Sequence, residues 1–406
     1  MVELKNYAEY GGDHWELAAL RNVLAHQGER LPHNGEAPSE ALLLGIAGGI
    51  VAGYFIFQYQ GYPPLFNFLT VQSFDPLTNA LERLQIEAKN QRTHSVEKAR
   101  LNLTQALANG KAPLVWADAF SLGYGDAQWG EENWFVIPIL VTRYDEAADE
   151  ASIVDRAHVP IEIPAHQLDA ARQRIRKERQ RVMTLGKIQW QRLPAAIHAG
   201  IQQCLDHATG EPPRKPMRGK YGLAAYTRWA DALADERSKT GWKRQFTQGS
   251  ERFALITNFY HYTHHFGTGG KGARGRYADF LVEAAAILEQ DALRSVAPAF
   301  RQAERRWEAL YDEMLSADLP PLFRARQLMD EREGLFRERG SASTEERKKI
   351  NAQLEALRVE ADETLAFSES EERSWRLGMR EAVLALQDQE TSAFQQLQEA
   401  MAEMEV

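Results

Sequence analysis

The chain has 406 residues, enough for two or three domains or for one domain with a long helical extension, and its 44% hydrophobic and 26% charged residues are ordinary for a folded soluble protein. A formal net charge of -9 argues against nonspecific nucleic-acid binding, and no zinc-finger or other nucleic-acid recognition signature accompanies the arginines. Cys204 is the single cysteine, which excludes an intrachain disulfide and any all-cysteine metal site.

In chain order, the N-terminus lacks the basic start and apolar core of a signal peptide, so a cytoplasmic location is expected. GGDHWELAALRNVLAHQG, Gly11 to Gly28, reads as a tight turn feeding a buried helix. Asp13 is the expected N-cap, Glu16 closes a capping box, and Leu17, Leu20 and Leu24 face a core. Position 15 falls in the first turn, where unpaired N–H groups and the helix dipole favour an anion or a thiolate. Trp15 stands there and can only line or plug a pocket.

The apolar run Ala41 to Phe57 is interrupted by Gly45, Gly48, Gly49 and Gly53 and falls short of the ~20 residues of a membrane span. It reads as a core helix over Ala41–Ala47, capped by Ser39, followed by a strand. A further strand is expected within Phe68–Phe74, and Ser95–Ala108 has a helical pattern ending at Asn109 and Gly110. The strands APLVWADAF and WFVIPILVTRYD flank the insertion LGYGDAQWGEEN as a hairpin; ASIVDRAHVPIEIP adds a short strand ending at Asp155 and an edge element. Trp116, Tyr124, Trp129, Trp134 and Phe135 permit an apolar pocket, although core packing is the default reading of such aromatics.

From His166 the pattern turns helical, beginning with HQLDAARQRIRKERQ, and a boundary is expected between Gln180 and Leu193. Ile197, Ile201, Cys204 and Leu205 share one helix face, so Cys204 reads as buried packing. Beyond LPP, two apolar stripes follow: Ile350, Leu354, Leu357, Ala361 and Leu365, then Met379, Val383, Leu386, Phe394, Leu397 and Met401, the second interrupted at Glu390. They fit an antiparallel helix pair within one chain or a homo-oligomeric interface. The expected division is 1–184 as an α+β domain, 185–319 as a helical domain, and 320–406 as a helical hairpin or coiled-coil-like extension.

In TNFYHYTHHFGTGGKGARGR, His261 and His265 stand four apart, which brings them close on a helix, and His264 lies near. Packing, polar substrate contacts and binding of a divalent metal by His261, His264 and His265 all remain open. In the glycine-rich turn that follows, Gly269 and Gly270 can expose N–H groups to an anion such as a phosphate, supplemented by Lys271, Arg274 and Arg276. A plain interhelical turn is the alternative.

Taken in order, GGDHWELAALRNVLAHQG, SEALLLGIAGGIVAGYF and GTGGKGARGRYADFLVEAAAIL resemble the butirosin biosynthesis protein H family across much of Tyr10 to Leu288. The resemblance implies a papain-like, peptidase C39-like N-terminal domain followed by an all-α domain, here with a long helical C-terminal extension. It also implies acyl transfer from an acyl carrier protein, bearing phosphopantetheine, to an amine of a small molecule through a cysteine intermediate supported by histidine and aspartate. This chain has His14 and Trp15 where the family has HC, and Glu132, Asn133 and Trp134 around the expected histidine, while Asp155 is retained.

The expectation is therefore a noncatalytic or catalytically divergent member acting in small-molecule biosynthesis. Direct, noncovalent transfer to an amine is the alternative, with His14, Glu16 and Asp155 catalytic and Trp15, Asn22 and Trp134 lining the substrate pocket. A metal-dependent enzyme built on the histidine cluster is the third reading.

Overall fold

The computed structural model describes residues 1–58, 64–71, 74–124, 134–210 and 212–404. Its elements are β1 (Val2–Glu3), α1 (Trp15–His26), α2 (Glu40–Ile46), β2 (Ile50–Phe57), β3 (Leu65–Val71), α3 (Pro76–Arg83), β4 (Ala88–Gln91), α4 (Val96–Ala108) and β5 (Leu114–Asp118). There follow β6 (Val136–Asp145), β7 (Glu150–Val154), β8 (Ile161–Ile163), α5 (Ala165–Arg174), β9 (Val182–Leu185), α6 (Leu193–Thr209), α7 (Ala224–Ala234) and α8 (Trp242–Gln245). The rest is helical: α9 (Gly249–Tyr260), α10 (Arg274–Leu288), α11 (Asp291–Met314), α12 (Pro320–Arg339), α13 (Thr344–Thr364) and α14 (Glu369–Met404). An α+β region is thus followed by helices that culminate in a long C-terminal helical stretch. No helix among the described residues is long and apolar enough to cross a membrane.

The chain forms two compact units, each assembled from three segments. The first comprises Met1–Leu43, Pro76–Leu193 and Glu331–Ala352. Its antiparallel sheet has the order β4-β9-β5-β6-β7-β8, with β1 also paired to β6. The expected hairpin is β5–β6, with Leu114 opposite Leu140 and Asp118 opposite Val136. Helix α1 buries Leu17, Leu20, Val23 and Leu24, while α4 starts where expected, the Ser95 hydroxyl accepting the Lys98 amide at 3.1 Å. The charged helix after His166 ends earlier than its pattern suggests, at Arg174. Beyond it, VMTL forms β9 between β4 and β5, buried along its whole length, so it carries no alternation to betray a strand.

The second unit comprises Leu44–Asp75, Pro194–Asp330 and Gln353–Val406. The β2–β3 hairpin contributes Tyr54, Phe66 and Phe68 to a core shared with Trp229, Trp242, Phe259, Trp307 and Tyr311. Phe66 stacks on Phe259 at 5.5 Å, and Trp242 donates its indole N–H to the Tyr54 hydroxyl at 3.0 Å, so this core is both apolar and hydrogen-bonded. Helix α14 lies along α11 and α7, and Met379, Val383, Leu386, Phe394, Leu397 and Met401 are all buried there. Its stripe is therefore used inside the unit. Gly200 permits close helix packing, since a Cβ there would stand 2.1 Å from the Gly45 carbonyl oxygen.

Cys204 is fully buried beside Ile197, Ile201 and Leu205, and its thiol donates to the Ile50 carbonyl at 3.2 Å. Burial pushes the thiol up to about 11, which makes it a packing residue.

Candidate functional site

The turn ahead of α1 is built by two glycines with positive φ; at Gly12, a Cβ would also stand 2.2 Å from that of Ala18. Asp13 does not cap the helix. His14 does, its Nδ1 accepting the Glu16 amide at 3.2 Å from an extended backbone. The Asp13 carboxylate instead lies 2.7 Å from Arg337 Nη1. Glu16 accepts the Leu77 amide at 3.0 Å in the first turn of α3, so its carboxylate serves a different helix start from the one expected.

Glu40, at the start of α2, is the residue this turn is organised around. Its carboxylate accepts the Asp13 amide at 3.0 Å and the His14 amide at 2.7 Å. Burial raises it to about 7, partly offset by the His14 amide and by Arg21, Arg337 and Arg156. Burial also pulls His14 down to about 3, with the Arg156 charge adding to the effect. His14 is thus neutral, and Glu40 titrates near neutrality.

Trp15 opens α1. Its ring stacks on His14 at 4.5 Å and meets Phe135 edge-on at 5.7 Å, while Phe135 neighbours Phe120 at 6.3 Å. Asp155 follows β7 and accepts the Tyr124 hydroxyl at 3.1 Å. Arg156 stands 3.7 Å from Asp155 and 3.5 Å from Glu333, and Glu333 accepts Arg337 Nε at 2.8 Å. A chain of charges therefore runs Asp13–Arg337–Glu333–Arg156–Asp155 within the first unit.

Asn22 is buried, with its amide donating to the Gly11 carbonyl at 3.2 Å, so it pins the turn. Trp134 is 55% exposed, with Lys177 Nζ 5.5 Å from its ring centre. Trp129, Glu132 and Asn133 lie outside the described residues. Sequence reasoning missed Glu40, Arg156, Glu333 and Arg337. Glu40 looks like an ordinary acidic residue in a first helical turn, and the others sit in charged stretches whose partners are remote in sequence.

The second unit holds the histidines. His261–His265 forms a π-helical turn, closed by the Phe266 amide on the His261 carbonyl at 2.9 Å. This alters the expected grouping: the His261 and His265 rings are 6.4 Å apart, whereas those of His264 and His265 are 4.9 Å apart. Asp330 of α12 joins the latter pair, with His265 Nε2 3.0 Å from its carboxylate and the Tyr260 hydroxyl donating to it at 2.8 Å. His264 stacks on Tyr260 at 4.8 Å, and burial lowers it to about 4.

In the glycine-rich turn, the Gly270 amide donates to the Thr268 hydroxyl at 3.1 Å and the Lys271 amide to His264 Nδ1 at 3.4 Å. Gly269 is exposed, and Lys271 Nζ lies 3.2 Å from Glu308. Arg274 is fully buried, bound to Glu390 and to the carbonyls of Val51, Thr70 and Gly272. Arg276 is half-buried in the first turn of α10. The Gly270 and Lys271 amides and the Arg274 guanidinium thus bond to the protein's own groups.

Residues 14–156 match the family model described as Butirosin biosynthesis protein H, N-terminal, and residues 166–319 match that described as Domain of unknown function (DUF4872). No curated protein matches the chain.

Proposed function

We propose that this chain, whose residues 14–156 match the family model of the butirosin biosynthesis protein H N-terminal domain, is a noncatalytic relative that binds an acyl carrier protein or its small-molecule partner without becoming acylated. The observation that carries this reading is Trp15 at the first position of α1, packed against His14 and Phe135 where a thiol nucleophile would need the helix dipole. Cys204 is buried in the other unit and cannot serve in its place. The amides ahead of the helix, which could receive a developing oxyanion, already hold Glu40.

Direct noncovalent transfer has less support. His14 is engaged through Nδ1 and is a weak base, and Asp155 already accepts the Tyr124 hydroxyl. The deciding experiment is intact-mass spectrometry of the protein with acyl carrier thioesters and candidate amines, monitoring products in the same reactions. Carrier binding with neither an acyl-protein adduct nor product is expected. Product without an adduct would replace this reading with direct transfer, and an adduct would refute it.

A further inference from the structure

We propose that His264, His265 and Asp330 form a binding site for a first-row divalent transition metal ion, with zinc as the reference ion. One ring nitrogen of each histidine and one carboxylate oxygen all lie within 4.8 Å of one another. His265 Nε2 and Asp330 Oδ1 stand 3.0 Å apart, close to the roughly 3.3 Å that separates two ligands on a tetrahedral ion with bonds near 2.0 Å.

The backbone explains why neighbouring histidines can converge. Consecutive residues on an α-helix point about 100° apart and do not share a face. The π turn changes that register, and it is anchored by Thr263, whose hydroxyl donates to the Phe259 carbonyl at 2.7 Å and whose carbonyl receives the Tyr311 hydroxyl at 3.1 Å. Such turns recur at functional positions because the register defect re-aims side chains.

The donor set is two imidazoles and one carboxylate, which suits zinc, iron or cobalt better than calcium or magnesium. Tyr260 donates to the same carboxylate and would orient it as an outer partner. Asp330 is 46% exposed and gives an ion a route from solvent, while His265 is 8% exposed and fixes the inner wall. Two cations stand nearby, but Lys271 is paired with Glu308 and Arg326 with Glu308 and Asp312, which offsets their charge. Remaining coordination positions would carry water.

The full chain, stripped with a chelator and dialysed, should be titrated with zinc by calorimetry and with cobalt by visible absorption. One equivalent is expected, with at least a tenfold loss of affinity in His265→Gln and in Asp330→Asn. His166→Gln, at an exposed histidine of the other unit, should leave affinity unchanged. Circular dichroism establishes that each variant is folded, and Asp330→Asn, near-isosteric and half-exposed, supplies the decisive comparison if His265→Gln unfolds. No binding by the wild type, or undiminished binding by folded Asp330→Asn, would overturn the site. Neither result bears on whether the first unit becomes acylated, so the two readings fail separately.

Discussion

Arg274 Nε lies 2.6 Å from Glu390 Oε1, and both side chains are fully buried. The residue that interrupts the apolar stripe of α14 is thus the counter-charge of an arginine at the start of α10. Trp307 also donates its indole N–H to Glu390 at 3.0 Å, and the Tyr226 hydroxyl lies 3.2 Å from Arg274 Nη2. The pair is therefore hydrogen-bonded on several sides, as a buried ion pair must be to offset its desolvation. Glu390→Ala should destabilise the protein by about 3–5 kcal/mol in chemical denaturation, because it strands the guanidinium. The double variant Arg274→Met/Glu390→Leu should recover only part of that loss, since the Val51 and Thr70 carbonyls lose their donor. Full recovery would show that those carbonyl contacts contribute little.

Cysteine chemistry separates the two candidate thiol positions. Native wild-type protein should resist iodoacetamide at pH 8, with Cys204 modified only after unfolding, because its thiol is buried and raised to about 11. Trp15→Cys should be alkylated in the native state, since position 15 is half-buried at a helix start. A rate for that variant no faster than wild type, read by intact mass, would mean that residue 15 is not accessible there.

His14 and Glu40 should shape the pH–stability curve in opposite senses. Unfolded, His14 takes a proton below about 6.5; folded, it does so only below about 3, so stability falls on acidification through this interval. Folded Glu40 keeps its proton up to about 7 but unfolded loses it above about 4.5, so stability falls as pH rises through that interval. Where the intervals overlap, the slopes oppose each other. Glu40→Gln should gain on wild type progressively as pH rises from 4.5, by up to about 3 kcal/mol near pH 7. His14→Asn, which keeps a capping acceptor, should gain relative to wild type as pH drops below 6.5. Curves parallel to wild type would remove these assignments.

Arg337 ties α12 to the turn ahead of α1 through the Asp13 carboxylate and the Gly12 carbonyl, the latter at 3.3 Å. Arg337→Ala should cost about 1–2 kcal/mol, and a double-mutant cycle with Asp13→Asn should give a coupling of about 0.5–1.5 kcal/mol. Additive losses would show that the pair is not coupled.

The legible parts of this fold carry their signal within a turn or two of chain. Ser95 and Asn109 bracket α4 because a hydroxyl can cap and the pattern stops; Ser39 does the same for α2, accepting the Leu42 amide at 2.9 Å. Strands β5 and β6 show as apolar runs, while β4 and β9, at four residues each, offer too little pattern. At the α1 turn two nearby acceptors compete for the same amides. Asp13 was the better cap by residue type, but Arg337 draws its carboxylate away and His14 takes the role.

By itself the sequence determined that the start of α1 presents an indole and no thiol, that the lone cysteine sits on an apolar helix face, and that α14 has one face to bury. These follow from residue identity and helical period alone. Tertiary structure decided which charges meet: Glu40 with the Asp13 and His14 amides, Arg337 with Asp13, Asp330 with His265, and Arg274 with Glu390. The reason is that a charged residue looks the same in sequence whether it faces water or a partner. Only the packing of remote segments removes the water and makes one partner obligatory.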